Sequence, residues 1–429
     1  MDSINKTLKM LRKRIITVAL FAVIWGCNSS EKTTAEPKVP NETLIVSSKG
    51  KLFNFNLETK KLTWEYISKD DTLSNRNRFS YDESTIYMPF ESGRLLAADI
   101  LSGKIRWENN YKPDPTLDDA SNDGTGYKNS DAYPGPIFMA KPLVYNRKLF
   151  IPSAGIPDLL KSKLITVDVT TGKTISQKAN STNYNYFQPI EKRGVIYVNS
   201  AIYLDVHYPS GSFGYLTMED IADSGSPIYT QMQSNKNSLF LGGENGIIYS
   251  VGLSGDGFTR AAEVNHPEEN SSGQKGIFDW QYQSEKYPGL GDGNTELVNN
   301  QLIVCKASDK ENKSALIAIN AKNGKEKWLY EPGDQIKNWQ LANQDELTGY
   351  TKSIIFVLDT SGKVTFKIPI DPSLYPVSNI ETRSDGALIY ITGKGVVVID
   401  RNINRTSLLI AHTFYPSFSP LNQIKYFKK

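Results

Sequence analysis

Short apolar runs, rich in β-branched and aromatic residues, recur along most of this chain and are separated by Gly, Asn, Asp and Pro. Runs of this kind are typical of β-strands and are too short for helices. No segment beyond residue 42 keeps a helical period, so the pattern predicts an all-β fold. The runs with this pattern include Leu44–Ser47, Ile86–Pro89, Lys148–Pro152, Val195–Asn199, Leu239–Gly242, Leu302–Lys306 and Ala387–Thr392.

A longer unit repeats within this pattern. An apolar strand ends in Asp or Asn, a Gly usually follows four residues later, and in the strongest copies a Trp stands eight residues after the Asp or Asn. The Asp or Asn side chain can bond its own backbone in a turn, and Gly accepts the positive φ of the reversal. The residues assigned to this structural repeat are Trp64, Trp107, Trp328, Asp99, Gly103, Asp168, Gly172, Asn320, Gly324, Asp359, Gly362 and Asp400.

The units begin near residues 43, 84, 142, 188, 232, 295, 338 and 381. Three or four strands per unit, at intervals of roughly forty residues, are typical of propeller blades. The sequence therefore predicts an eight-bladed β-propeller of four-stranded antiparallel blades, forming a single domain over residues 43–429. Units four and five lack the Gly-Lys turn and the Trp, so a seven-bladed disc with one irregular unit is the alternative. The tail from Phe414 to Lys429 is expected to supply the strand that closes the ring.

The pattern of an apolar strand followed by Ala-x-Asp-x-x-x-Gly-Lys-x-x-Trp resembles the tryptophan-docking repeat of the pyrroloquinoline-quinone-like β-propellers. That family includes quinoprotein dehydrogenases and a cofactor-free lipoprotein of the outer-membrane β-barrel assembly machinery. The resemblance extends from residue 43 to about residue 410 and is strongest in units two and six. In the family the repeated Trp packs between neighbouring blades, which implies structural roles for Trp64, Trp107 and Trp328. A large aromatic side chain suits the gap between two twisted sheets.

The dehydrogenases of this family place two adjacent cysteines against the quinone, with a calcium ion beside it and an Asp as the base. The two cysteines of this chain, Cys27 and Cys305, are far apart, so no quinone and no other cofactor is expected. His207, His266 and His412 are isolated, and no metal site is expected from them. Because no nucleophile elbow or phosphate loop stands in a credible setting either, the chain is predicted not to be an enzyme.

The N-terminal segment resembles a bacterial lipoprotein signal. Basic residues precede an eleven-residue apolar run, Ile15–Trp25, and Gly26 and Cys27 follow it. Eleven residues suit the core of a signal peptide, whereas a membrane-spanning helix needs about twenty. Residues 1–27 are therefore interpreted as a signal peptide ending at a lipidated Cys27, whose acyl chains, palmitate among them, would anchor the protein to a membrane. A plain secretory signal with an incidental cysteine is the alternative.

Residues 28–42 are polar, contain two prolines and are predicted to form a flexible tether. Asn28 stands where Asp would be the inner-membrane retention signal, which favours an outer membrane lipoprotein, with a periplasm-facing position expected over the cell surface. The chain has a formal net charge of +3, but the part after residue 27 is near −1. That balance gives no general attraction to nucleic acid or anionic lipid. Cys305 is expected to be a buried, unpaired thiol.

Two long insertions interrupt the repeat, near residues 112–140 and 254–294. Insertions in a rigid scaffold usually lie at its faces, where binding loops are found. Within the first, Asp119–Gly124 loosely resembles a calcium loop, although Ser130 stands where an acidic ligand should close it; a solvated loop is the other interpretation. Packing over the propeller and binding of a glycan or a partner are both open for the aromatic residues Tyr133, Trp280, Tyr282 and Tyr287.

The sequence favours a non-catalytic, membrane-anchored scaffold that binds another cell-envelope protein, similar to the propeller subunit of the β-barrel assembly machinery. A propeller presents loops and strand edges on a rigid disc, and it is expected to be monomeric. The alternative is a glycan- or peptide-binding lipoprotein, which requires Trp280, Tyr282 and Tyr287 to be exposed together. A quinone-dependent dehydrogenase ranks last, since the cysteine pair is missing.

Overall fold

The computed structural model describes residues 41–71, 78–111, 137–153, 162–181, 185–222, 224–254, 257–258, 277–308, 310–415 and 422–429. The predicted signal peptide, nearly all of the tether and the calcium-like loop lie outside the described residues. The described residues belong to one compact unit, Pro40–Lys429. They form eight antiparallel sheets, so the prediction of an eight-bladed, all-β propeller is confirmed.

The strands of each blade follow one another in the chain from the centre of the ring to its rim, except in blade 1, whose innermost strand is the last strand of the chain. Blade 1 contains β1 (Glu42–Ser48), β2 (Lys51–Asn56) and β3 (Lys61–Ile67), and blade 2 contains β4 (Ser80–Tyr81), β5 (Thr85–Pro89), β6 (Arg94–Asp99) and β7 (Ile105–Asn110). Blade 3 contains β8 (Leu143–Tyr145), β9 (Lys148–Pro152), β10 (Lys163–Asp168) and β11 (Thr174–Ala179), and blade 4 contains β12 (Ile190–Lys192), β13 (Val195–Ser200), β14 (Tyr203–His207) and β15 (Phe213–Thr217).

Blade 5 contains β16 (Gln233–Ser234), β17 (Ser238–Gly242), β18 (Ile248–Ser254), β19 (Gly257–Phe258) and β20 (Phe278–Tyr282), and blade 6 contains β21 (Gly289–Val298), β22 (Gln301–Ser308), β23 (Lys313–Asn320) and β24 (Glu326–Tyr330). Blade 7 contains β25 (Asn338–Leu341), β26 (Glu346–Tyr350), β27 (Ile354–Asp359) and β28 (Val364–Pro369), and blade 8 contains β29 (Glu381–Thr382), β30 (Leu388–Thr392), β31 (Gly395–Asp400) and β32 (Arg405–Ala411). The last strand of the chain is β33 (Gln423–Lys428), and the helices among the described residues are α1 (Met218–Ala222) and a 3-10 turn, Pro372–Leu374.

The C-terminal strand β33 closes the ring. It pairs with β1 from Glu42 opposite Lys428 to Ser47 opposite Gln423, and it is therefore the innermost strand of blade 1. Gln423 also exchanges two hydrogen bonds with the backbone of Phe79 in blade 2, at 2.7 and 3.2 Å. The expectation that the tail supplies the closing strand is confirmed, because the first and last strands of the chain share one sheet.

The hydrophobic core lies in the seams between neighbouring blades. Six of its clusters each contain nine or more buried side chains. The cluster between blades 3 and 4 contains only Leu164, Ile196 and Val198. That seam is therefore the one with the least apolar packing among the described residues.

Polar side chains take the place of apolar ones in the seam between blades 3 and 4. The carboxylate of Asp205, which is fully buried, accepts hydrogen bonds from the N–H of Ser181 at 2.8 Å and the hydroxyl of Ser200 at 2.6 Å. Burial raises the pKa of Asp205. The Nε2 atom of His207 lies 3.0 Å from Oδ1 of Asn180 in blade 3, and burial lowers the pKa of His207 to about 4. The contacts between blades 3 and 4 therefore depend on the neutral imidazole of His207 and the buried carboxyl of Asp205, and not on a broad apolar layer.

Candidate functional site

Four tryptophans each pack on a turn of the next blade. In each case the indole N–H donates to the carbonyl of the residue that directly follows the Asp or Asn of the repeat. The four bonds join Trp64 to Ile100 at 3.0 Å, Trp107 to Val169 at 2.7 Å, Trp280 to Ala321 at 3.3 Å and Trp328 to Thr360 at 3.1 Å. The tryptophans therefore act as clamps between blades, and the repeat turns are the surfaces they clamp.

The first residue of each turn, Asp or Asn, sets the shape of the turn. The glycine of the turn is required because a tryptophan of the neighbouring blade packs on it. Asp99 accepts from the N–H groups of Leu101 and Ser102 through one carboxylate oxygen, and Asp168, Asn320, Asp359 and Asp400 make comparable bonds to the residues that follow them. A Cβ atom at Gly103 would lie 2.5 Å from the ring of Trp64. Such an approach is too close for any side chain.

Two further turns show that the positive φ does not by itself demand glycine. Lys60 and Asn404 occupy the same turn position with φ of 57° and 51°, and none of the four docking tryptophans packs on their turns. Glycine stands at this position where a Trp ring covers it: Gly103, Gly172, Gly324 and Gly362 lie against Trp64, Trp107, Trp280 and Trp328 respectively. The Gly and the Trp of the repeat therefore form a pair across the seam between two blades.

Of the two interpretations left open for Trp280, Tyr282 and Tyr287, the structure favours packing against the propeller over an exposed binding platform. Trp280 is 9% exposed and Tyr287 is 1% exposed. Trp280 lies on β20, the outer strand of blade 5, and docks on Gly324. The hydroxyl of Tyr287 donates to Glu331, and that of Tyr282 donates to Glu326. Tyr133, the remaining candidate, lies outside the described residues.

The second insertion is shorter than the sequence suggested, because its residues 278–282 form β20 and its residues 289–294 belong to β21. The insertion separates β18 from β20, so the spacing of eight residues between the turn and the Trp is lost in blade 5. A second signal could have revealed Trp280: the tripeptide Trp-x-Tyr occurs at Trp64, Trp280 and Trp328. All three tryptophans begin this tripeptide on the outer strand of a blade.

The inner strands of the blades surround a central channel with a cavity of about 410 Å³, which is within the size range of small-ligand sites. Amide side chains on these strands link neighbouring blades. Gln231 forms two hydrogen bonds of 3.0 Å with the backbone of Gln188, and Asn379 forms two with the backbone of Ile424, at 2.8 and 3.1 Å. These links satisfy backbone groups at the inner edges of the blades, which would otherwise depend on channel water.

Charged side chains also line the cavity: Arg78, Lys141, Glu191, Glu296, Glu381 and Lys425. Lys425 and Glu381 form an ion pair at 2.8 Å. Among the described residues, Lys141 and Glu296 have no such partner within 4 Å. Desolvation, with the nearby Arg78, lowers the pKa of Lys141 to about 8, and desolvation raises the pKa of Glu296 to about 7. Both groups titrate near neutral pH.

Replacing Glu296 by Gln is expected to stabilise the propeller at pH 8 and to leave it nearly unchanged at pH 4. The folded chain holds the Glu296 proton up to about pH 7, whereas the unfolded chain releases it near its ordinary pKa of 4.5, so the stability of the wild type falls as pH rises between these values. The gain at pH 8 is at most about 3 kcal/mol. Urea unfolding at pH 4, 6 and 8 measures it, and Glu58→Gln on the outer surface is the control. An equal effect of Glu296→Gln at all three pH values would contradict the assignment.

Among the described residues, the adjacent cysteine pair and the metal ligands typical of the dehydrogenases are not found. Cys305 is 2% exposed in β22, burial raises the pKa of its thiol, and its distant companion Cys27 cannot form an adjacent pair with it. In the part of the chain that the structure describes, no group of three or more His, Cys, Asp and Glu side chains could hold a metal ion. The cavity wall consists mainly of amides and of charges of both signs.

By its structure this protein is an eight-bladed β-propeller in which tryptophans dock on turns of the next blade. A family model described as outer membrane protein assembly factor BamB matches residues 22–127, a span that includes Trp64, Trp107 and the turn Asp99–Gly103 on which Trp64 docks. The crystal structure of BamB from Moraxella catarrhalis is similar to this chain, with a TM-score of 0.53 at 13% identity, over 82% of this chain and 92% of that one. The predicted resemblance to the pyrroloquinoline-quinone-like, BamB-like β-propellers is therefore confirmed for the repeat and for the fold.

Enzymes share the same architecture. The dihydro-heme d1 dehydrogenase NirN is similar with a TM-score of 0.60 at 11% identity, over 91% of this chain and 76% of that one. Quinohemoprotein alcohol dehydrogenase from Comamonas testosteroni has a TM-score of 0.52 at 11% identity, over 83% and 68% of the two chains. Likeness at such identities concerns the fold alone. Among curated protein sequences, none matches this chain.

Proposed function

We propose that this protein is a non-catalytic, membrane-anchored propeller that binds another cell-envelope protein during outer-membrane protein assembly. The observation that carries the proposal is the BamB family match over residues 22–127, a span that contains the docked pair Trp64 and Gly103. Docking of this kind makes the ring rigid, and a rigid ring holds its loops and edges in fixed positions for a partner. The chain itself supplies no adjacent cysteine pair for quinone chemistry.

The membrane anchor in this proposal is an acylated Cys27. Support comes from the short apolar run that precedes Gly26 and Cys27, and Asn28 favours the outer membrane. The polar residues 28–42 would then separate the propeller from the bilayer, on the periplasmic side. Within the described residues, no helix has the length and the hydropathy needed to cross a membrane.

The test is crosslinking in cells of the native source, followed by purification of the intact protein under denaturing conditions. We expect subunits of the outer-membrane β-barrel assembly machinery among the crosslinked proteins. A Cys27→Ser variant should lose incorporation of an alkyne-labelled palmitate and leave the membrane fraction, while its propeller still folds. Crosslinks to lipid or glycan alone, with no envelope protein, would refute the assembly role. Incorporation of the label into Cys27→Ser would refute the anchor.

The glycan-binding alternative loses its main support, because Trp280 and Tyr287 are buried between blades rather than exposed at a face. A dehydrogenase role is checked separately by adding pyrroloquinoline quinone and calcium to the purified protein. No cofactor absorbance is expected to remain after gel filtration. A stoichiometric quinone spectrum would overturn the non-catalytic assignment.

A further inference from the structure

The outer strand of blade 4 differs from the other outer strands of at least five residues. β15 has the sequence Phe-Gly-Tyr-Leu-Thr and no charged side chain. Each of the others carries at least one charged residue: β3, β7, β11, β20, β24, β28 and β32. Charged side chains on edge strands normally prevent pairing with foreign strands. Blade 4 lacks this protection.

Exposed aromatic residues accompany the missing charge. Phe213 is 42% exposed and Tyr215 is 56% exposed. They lie on one side of β15, beside His207 and Tyr203 of β14, with ring centroids 5.1 Å apart for Phe213 and His207 and 5.3 Å apart for Tyr215 and Tyr203. This aromatic row faces the polar seam towards blade 3.

The row is exposed because the docking tryptophan is missing from blade 3. Ser176 stands eight residues after Asp168, where the regular blades carry Trp. Lys178 takes over one function of the indole, since its Nζ atom donates to the carbonyl of Gly211 in the turn of blade 4 at 2.9 Å. Neither side chain supplies the flat apolar surface of an indole. The outer part of the seam is therefore open beside Phe213 and Tyr215.

Within the part of the chain that the structure describes, the backbone of β15 also has hydrogen-bonding groups without a partner at this edge. The N–H of Tyr208 donates to the carbonyl of Ser212, and the N–H of Met218 donates to that of Ile202. In an antiparallel pair the bonded positions alternate, so Gly214 and Leu216 face β14. The N–H and carbonyl groups of Phe213 and Tyr215 then point outward.

The third outward position of the strand is already partly occupied. Thr217 donates its N–H to the carboxylate of Asp220 in α1 at 2.8 Å. The open pairing positions are therefore those of Phe213 and Tyr215, two residues apart on one edge. Two such positions suit a short extended segment that offers alternate residues for pairing.

We propose that β15 is a docking strand, to which an extended, uncharged segment of a partner protein adds as a further strand of blade 4. This inference rests on the proposed scaffold function and names its binding surface. The backbone of the partner would bond Phe213 and Tyr215, and its alternate side chains would lie in the open seam near Ser176. A second copy of this chain fits less well, because two convex rims that meet along five residues bury little of the 1,200 Å² or so that stable interfaces need.

The test uses a fluorescein-labelled ten-residue peptide of alternating Thr and Val with two terminal Lys. We expect the peptide to bind the full propeller and to slow hydrogen exchange in the segment that contains Phe213 and Tyr215. Tyr215→Lys should weaken binding by about tenfold or more, because it restores a charge to the edge. Val364→Lys is the matched control: Val364 is 40% exposed on β28, and the change should leave peptide affinity unaltered. Thermal melts verify that both variants fold.

The outcomes separate this inference from the proposed function. Peptide binding that Tyr215→Lys leaves unchanged, no binding at millimolar peptide, or dimerisation of the wild type through β15 would each overturn the docking strand. If Tyr215→Lys still crosslinks the envelope partner in cells, the docking strand is wrong and the scaffold function stands. If the wild type crosslinks no envelope protein, the scaffold function fails, and the peptide experiment still decides whether β15 accepts a strand.

Discussion

Removing residues 423–429 is expected to prevent the propeller from closing. The deletion takes away β33, buried Ile424 and the Lys425 partner of Glu381, which is itself 4% exposed. Loss of a large buried side chain and of the ion-pair partner of a buried carboxylate together cost roughly 5 kcal/mol or more, which is comparable to the whole stability of a typical domain. Urea unfolding followed by tryptophan fluorescence should show no cooperative transition in the truncated protein.

The matched control is a chain that lacks only Lys429, which should unfold like the wild type. A synthetic peptide of residues 422–429, added to the truncated chain, should restore part of the cooperative transition, because it supplies the missing strand to β1. A truncated chain as stable as the wild type would mean that the ring is held without β33. The pairing of β33 with β1 would then contribute little to folding.

Replacing Trp107 by Ala is expected to destabilise the protein by roughly 3–5 kcal/mol. Trp107 is 8% exposed, lies between blades 2 and 3, and donates its indole N–H to Val169. The substitution therefore opens a cavity in the seam and leaves a carbonyl without its donor. Ser176→Ala, at the corresponding position of blade 3, is the control and should change the free energy of unfolding by less than about 1 kcal/mol. Equal effects of the two substitutions would contradict the docking role.

The contact between Trp107 and Gly172 can also be tested by changing the glycine. A Cβ atom at Gly172 would lie 2.7 Å from the Trp107 ring, whereas one at Gly333 would have nothing within 4 Å. Both glycines have positive φ, at 73° and 91°, so Gly333→Ala measures the backbone cost alone. Gly172→Ala should cost about 1–3 kcal/mol more, from overpacking. If the two variants unfold at the same urea concentration, Gly172 is required only for its positive φ and not for the close approach of the Trp107 ring.

Much of the ring could be read from local sequence. Alternating β-type runs predicted the blades, and the unit starts near residues 338 and 381 coincide with the inner strands β25 and β29. The sequence also predicts the Asp and Asn turns, because the side chains of these residues bond backbone groups within the next three residues. Such features depend on a short stretch of chain, which is why the sequence alone carries them.

Blade 5 shows where local reading failed. The sequence leaves packing and binding both open for Trp280, because an insertion separates it from the preceding strand and the spacing of eight residues is lost. Its real partner, Gly324, lies in the next blade. A contact between blades is not encoded in the spacing within one blade, so the docking role of Trp280 became visible only when the two blades stood side by side.

The sequence by itself determined the all-β class, the eight units, the Asx turns and three of the four docking tryptophans, because strand periodicity and turn chemistry act over a few residues. The tertiary structure decided which surfaces remain open. Ser176 reads as a weak copy of the repeat, and β15 reads as one more strand. Their meaning comes from the meeting of blades 3 and 4, where a missing indole exposes Phe213 and Tyr215. Exposure depends on how distant segments pack, and no local pattern specifies it.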